Sequence, residues 1–392
     1  MNIAPEIQLL HPEMRRWRRL IHQQPEIAFE ETATAHLIVE QLQHVGIEVH
    51  QGLAKTGVVG ILRRGSGGNS IALRADMDAL PIQETNRFAH VSRNSGKMHA
   101  CGHDGHCAML LGAACYLARH GRFDGTVYFI FQPAEECRAG AHRMISEGLF
   151  EQFPMQRVFG MHNFPDIPVG HFAVKSGPMM ASFDCFEITF TGQATHAALP
   201  HLGSDVLVAA AHLVTQLQTI VSRRIDPSDA AVVSVTQIHG GNTWNALPES
   251  AKVRGTFRSF KNSVREQLEQ SIRDLTLSVA QGFRLQADIL FNPENPGYPV
   301  TLNSPVETTS AIRAAQAVAG ENCVNTAPTP SMGAEDFAFM LEQKPGCYIW
   351  IGNGSSDGSC LLHSPSYDFN DDILPLGAAY WAKLVENELP VD

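Results

Sequence analysis

The chain has 392 residues, 44% of them hydrophobic and 18% charged, with a formal net charge of −11. That length exceeds one typical core and predicts two domains. The acidic balance argues against nucleic acid or an anionic membrane as partner, because both demand basic surfaces, and no apolar run is long enough to span a bilayer. The opening Met-Asn-Ile-Ala-Pro-Glu-Ile-Gln has neither a basic start nor a signal-peptide core, so a cytoplasmic location is expected. Eight cysteines do not make a disulfide scaffold, and Cys115, Cys185, Cys323 and Cys347 sit among apolar neighbours and read as packing residues.

In chain order, the segment from Pro5 to about Gly46 reads as helices, with apolar residues from Trp17 to Val45 at helical spacing. Val58 to Leu62 and Ile71 to Asp76 read as strands, separated by the turn signal Gly65-Ser66-Gly67-Gly68-Asn69. Gly105 to His120 reads as a helix, Thr126 to Phe131 as a strand, Gly140 to Leu149 as a short helix and Val158 to Met161 as a strand. This alternation predicts an α/β domain built on a mainly parallel sheet with helices on both faces. The period then changes. Strands at 183–190, 230–238, 252–260 and 286–291 and helices at 205–221 and 263–281 give β-α-β-β-α-β, a ferredoxin-like arrangement that reads as an inserted domain over 179–292. After a Pro- and Gly-containing linker the first pattern resumes, with helices at 304–319, 335–341 and 371–387 and a strand at 347–351. The first domain is therefore expected to be discontinuous, 1–178 and 293–392.

Potential metal ligands recur where these strands end: Cys101 and His103, the pair Glu135-Glu136, His162 and His363. Strand ends are where open α/β sheets place their chemistry. A thiolate and an imidazole one residue apart can both reach a metal from a tight turn, and Gly102 and Gly105 permit one. His99 and His106 read as groups around the site or on the surface, and Asp104 as a carboxylate that could orient a ligand imidazole. Two adjacent acids after the apolar strand Val127–Phe131 would repel each other unless a cation lies nearby, and one could ligate metal while the other serves as a general base. Together these residues make a two-metal set, able to share a bridging water and polarise a carbonyl oxygen.

The inserted domain carries a second cluster. His196 lies in a loop between a strand and a helix, Asn245 in the polar loop Gly240–Pro248, and Arg258 near a strand end. An imidazole, an amide and a guanidinium are groups that an oxyanion and a carboxylate need, although ordinary loop residues read equally well.

These stretches carry a resemblance. Arg74-Ala75-Asp76-Met77-Asp78-Ala79-Leu80-Pro81, Cys-Gly-His-Asp-Gly-His from Cys101, Gln132-Pro133-Ala134-Glu135-Glu136, Gly-Met-His-Asn ending at Asn163, Thr-His-Ala-Ala-Leu-Pro-His ending at His201, Met332-Gly333-Ala334-Glu335-Asp336-Phe337 and His363-Ser364-Pro365 occur in one order. The chain resembles the hippurate hydrolase and N-acyl-amino-acid amidohydrolase branch of the aminoacylase/carboxypeptidase-like metallopeptidases. The resemblance implies that Cys101 bridges two divalent ions, with His103, Glu136, His162 and His363 as the other ligands. It implies Glu135 as general base, His196 as oxyanion stabiliser in cis or from a partner subunit, and Asn245 and Arg258 as substrate-binding residues. Glu335 matches a motif acid whose role stays open.

Where most of the wider clan carries His-x-Asp and a bridging aspartate, this chain has Arg74-Ala75-Asp76 and Cys101, which fits the amidohydrolase branch. The resemblance allows zinc or manganese, and the mixed ligand set also accepts cobalt or nickel. The implied substrate is a small N-acyl or N-aroyl amino acid, the implied assembly a homodimer or higher oligomer through the inserted domain, and the implied motion a hinge near Ser176-Gly177 and Asn292-Pro293. A broad-specificity aminoacylase or dipeptidase is the alternative within this class. A non-catalytic acyl-amino-acid sensor is disfavoured by the presence of Glu135.

Overall fold

A computed structural model describes residues 1–354 and 361–391. The chain divides into two compact units: Met1–Met179 with Leu302–Thr329 and Asp336–Asp392, and Met180–Thr301 with Pro330–Glu335. The second unit therefore runs past the expected boundary at residue 292. Phe183 and Tyr298 exchange backbone hydrogen bonds of 3.0 and 2.8 Å, which holds the segment before Thr301 to it. Ala181 N–H reaches Ser331 C=O at 3.0 Å and draws in 330–335.

The first unit is an α/β layer structure around an eight-stranded sheet. Its centre is four parallel strands in the order Gly125–Gln132, Ser70–Asp76, Arg157–Pro165 and Gly346–Gly354. Antiparallel strands Glu48–Leu53 and Gly57–Arg64 extend one edge, and the two-residue strands Phe172–Ala173 and Val324–Asn325 the other. Every residue of Ser70–Asp76 is buried, as a strand covered on both faces requires. The helix that follows the Cys101 turn spans His103–His120, two residues earlier than its apolar period suggests. It is buried along most of its length, which explains its small and apolar composition on all sides. The expected helix at 335–341 begins only at Ala338, and the Asp336 carboxylate just before it bonds Gln132 and the Ala141 amide.

The second unit has the element order β-α-β-β-α-β. Its four antiparallel strands lie in the order Ala231–Gly240, Ser250–Ser259, Asp184–Thr191, Gln286–Phe291. Burial alternates along Asp184–Thr191, so one sheet face packs into the core formed with helices Val206–Arg223 and Asn262–Phe283. Asp205 caps the first of these helices through the Leu207 and Val208 amides. No helix among the described residues is long and apolar enough to cross a membrane.

Candidate metal centre

The first unit brings Cys101, His103, Glu136, His162 and His363 together. Cys101 Sγ lies 3.4 Å from His162 Nε2, and Glu136 Oε1 lies 3.2 Å from His363 Nε2 and 4.0 Å from His103 Nε2. Cys101-His103-His162 and Cys101-Glu136-His363 each place their ligand atoms within 4.8 Å of one another, so Cys101 is shared by two groups. Glu136 follows the carboxyl end of Gly125–Gln132, His162 lies in the second half of Arg157–Pro165, and Cys101 and His103 stand at the start of the helix His103–His120. His363 reaches in from a loop, held in the left-handed region (φ 65°) with its amide bonded to Ala100 C=O at 2.7 Å.

The turn at Cys101 demands glycine. Gly102 has φ 91°, and a Cβ there would stand 2.2 Å from Asn163 Nδ2. That amide donates to Cys101 C=O at 2.7 Å, and Tyr367 hydroxyl donates to its oxygen at 2.5 Å. His162 Nδ1 donates to Asn163 C=O at 2.5 Å, which leaves Nε2 facing the thiol. Asp78 binds His103 Nδ1 at 3.2 Å and the Glu136 backbone amide at 2.9 Å, so it orients one candidate ligand imidazole and fixes the backbone that carries a candidate carboxylate.

The expectation for Asp104 is corrected. Its carboxylate points away from the cluster to Arg18 and His22, both at 2.8 Å, because the helix turns it toward the buried face of His11–Gln23. His99 and His106 are both buried rather than on the surface. His106 bonds Asp76 through Nδ1 (2.6 Å) and accepts the Asn163 amide at Nε2 (2.9 Å), so in this arrangement both its nitrogens are engaged with protein partners.

The electrostatics match a cation site. Burial pushes the Cys101 thiol well up, and the neighbouring Glu136 and Glu135 add to it, so it ionises only with a cation beside it. Burial opposes the charged form of His103, yet Asp76 and Asp78 outweigh it and lift the imidazole to about 10. His103 Nε2 is buried with no hydrogen-bond partner. An unpartnered imidazole nitrogen aimed at a carboxylate and a thiol is the donor set that divalent metal ions take, and the residues fit two of them.

Glu135 is buried beside this cluster and accepts the Asp336 amide at Oε1, 3.4 Å away. Behind it Arg74, fully buried, bonds Gln132, Asp76 and Asp336 at 2.7–3.0 Å. The sequence signal for this support was present in the Arg-Ala-Asp and Glu-Asp-Phe stretches, but its partners lie far apart in the chain.

In the second unit a two-stranded ribbon pairs His196 with Ala246, so Asn245 and His196 become neighbours, with Asn245 C=O accepting the Ala197 amide at 2.9 Å. Both are exposed. Arg258 donates to Met332 C=O at 2.7 Å and lies over the Phe183 ring at 4.6 Å. Glu335 is buried at the end of the Pro330–Glu335 segment.

Residues 72–387 match the Peptidase family M20/M25/M40. The chain belongs to that family. It is 40% identical over 384 residues to a hippurate hydrolase of Campylobacter jejuni, covering 98% of both chains. It is 37% identical to an N-acetylcysteine deacetylase of Bacillus subtilis, covering 95% of this chain and 96% of the relative. A Bacillus subtilis structure described as a dinuclear metal binding peptidase from the M20 family superposes with a TM-score of 0.83 at 34% identity, over 96% of this chain and 98% of that one. The chain is a hydrolase of amide bonds, a metal-dependent amidohydrolase of this family.

Proposed function

We propose that the chain cleaves the amide bond of N-acyl or N-aroyl amino acids, hippurate-like or N-acetyl, to a carboxylic acid and a free amino acid. The observation that carries the reading is one cluster, buried at Cys101, His103 and His162 and open at His363, that combines a thiol shared by two ligand groups with a second, buried glutamate, Glu135, beside it. The names of the relatives, a hippurate hydrolase and an N-acetylcysteine deacetylase, support the same substrate class.

In this reading Cys101, His103, Glu136, His162 and His363 hold two divalent ions, zinc or manganese. When bound, such ions polarise a carbonyl and lower the pKa of water. Glu135 takes the proton of the attacking water and delivers it to the leaving amine nitrogen. His196 Nδ1 accepts the Ala198 amide at 3.1 Å, so the ring of a neutral His196 carries its N–H on Nε2, the donor an oxyanion needs. Asn245 and Arg258 hold the substrate. The guanidinium of Arg258 is fixed by Met332 and Phe183, and a pre-ordered fork suits a substrate carboxylate. A homodimer through the second unit is supported by its long edge strand Ala231–Gly240, which exposes Ile238.

The test is amine release from a panel of N-acyl amino acids, with and without chelator. Chelator-sensitive release is expected, with the carboxylate-bearing substrates preferred over their amides. A broad panel giving no chelator-sensitive release from metal-loaded protein overturns the reading.

A further inference from the structure

Glu31 lies outside every motif described above, yet it is fully buried. It stands just before the helix Thr32–His44, at the position where a short polar side chain ordinarily caps the first amides. Glu26 supplies that cap instead, accepting the Ala33 and Thr34 amides at 3.0 Å. Glu31 turns inward. Its Oε1 accepts the amides of Phe29 at 3.0 Å and Ala134 at 2.9 Å, and its Oε2 accepts the Thr56 hydroxyl at 2.6 Å. One carboxylate thus ties together three segments distant in sequence.

The Ala134 end of this tie matters most. Ala134 is the residue before Glu135, and it occupies the left-handed region with φ 56°, a conformation that costs a β-carbon residue energy unless its surroundings impose it. On the far side of Glu135, the Glu136 amide is held by Asp78. The backbone is therefore gripped by a buried carboxylate on each side of Glu135. Burying a carboxylate is costly, and an apolar side chain would fill the same space without that cost. We propose that Glu31 is a positioning residue for the reaction: its grip on the Ala134 amide fixes the left-handed turn that aims Glu135. This inference rests on Glu135 being the general base.

The test compares Glu31→Ala, Glu31→Gln and Glu135→Gln in the metal-loaded enzyme. Glu31→Ala is expected to lower kcat about 10–100-fold, the usual cost of removing an outer supporting partner, with KM and metal content near wild type. Amide hydrogen exchange at Ala134 should speed up in the same variant, with and without chelator. Glu31→Gln keeps an acceptor oxygen for Ala134 and should restore both readouts. The inference is overturned if Glu31→Ala keeps wild-type kcat, if it loses metal in proportion to activity, or if Glu31→Gln is equally impaired. Should Glu31→Ala fail to fold, Thr56→Val removes one donor to the same carboxylate. A several-fold loss confined to kcat is then expected, and unchanged kcat and exchange overturn the inference. Glu135→Gln separates the two readings. Wild-type turnover there sinks the base assignment and this inference with it, whereas a collapse there with an intact Glu31→Ala sinks this inference alone.

Discussion

The ligand cluster of the first unit and the His196 ribbon of the second are built on opposite principles. In the cluster, Cys101 and His103 are buried, and each is held by partners from other elements: Asn163 on Cys101 C=O, Asp78 on His103. In the ribbon, His196 and Asn245 are exposed, Trp244 is fully so, and the hydrogen bonds holding them come from within a few residues or from the facing strand. Low dielectric strengthens every charge interaction in the cluster, but it also makes each unpaired group costly, so many partners are needed to keep the geometry. An exposed donor bears no such cost and needs only a local turn to orient it. The cluster should therefore couple chemistry to stability, and the ribbon should separate them.

The strongest challenge to that contrast is Glu135→Gln. It should lower kcat by about 10²–10⁴-fold, the range for losing a general base, while metal content stays at two ions per chain. Wild-type turnover with both metals bound would remove the base from the cluster. Next comes His196→Ala, expected to lower kcat by about 10²–10³-fold as a lost oxyanion donor does. Because His196 is exposed, stability should stay within about 0.5 kcal/mol in denaturant unfolding. A large stability loss would show that the ribbon is structural and that the contrast fails. Arg258→Lys is smaller still. It keeps the charge and loses the fork, so KM should rise roughly tenfold, about 1.4 kcal/mol, with kcat little changed. An effect on kcat alone would place Arg258 elsewhere in the reaction.

Glu135-Glu136 and His162 were legible because they stand at apolar runs that end in loops, and Cys101 and His103 because a thiol and an imidazole flank Gly102, patterns that survive without knowledge of the fold. The parallel centre of the sheet was legible from its apolar runs, Ile71–Leu73 and Val127–Phe131. Their supports were not. Asp104 follows His103 directly and looked like its partner, but adjacent residues on a helix point apart, and Asp78 from another strand end takes that place. Glu26, Glu30 and Glu31 look alike in sequence as acids before a helix. Only closure of the chain onto Ala134 and Thr56 separates Glu31 from the other two. The two-residue strands Phe172–Ala173 and Val324–Asn325 are too short to show any period, so the far edge of the sheet had no sequence signal.

Glu31 also gives the mildest and most specific prediction, because it is a cluster-side group whose charge can be removed without removing its shape. Burial, with the Asp78 charge adding to it, raises its carboxyl from 4.5 to about 7. A carboxyl raised on folding is neutral in both states at low pH and costs nothing there. As pH climbs above 4.5 the unfolded chain ionises first, and the native state loses stability progressively until its own carboxyl ionises near 7. Glu31→Gln is neutral throughout, so its stability relative to wild type should rise between pH 5 and 7 and level off above. That rise is at most on the order of 3 kcal/mol, and the weaker bonds that the amide makes with Ala134, Phe29 and Thr56 displace the variant by a constant amount at every pH rather than reducing the rise. Denaturant unfolding of chelator-treated protein at pH 5 and pH 8 reads the difference directly. A gap between variant and wild type that is the same at both pH values, or larger at pH 5, would mean that Glu31 is ionised without cost and that the cluster's surroundings are wetter than its burial indicates.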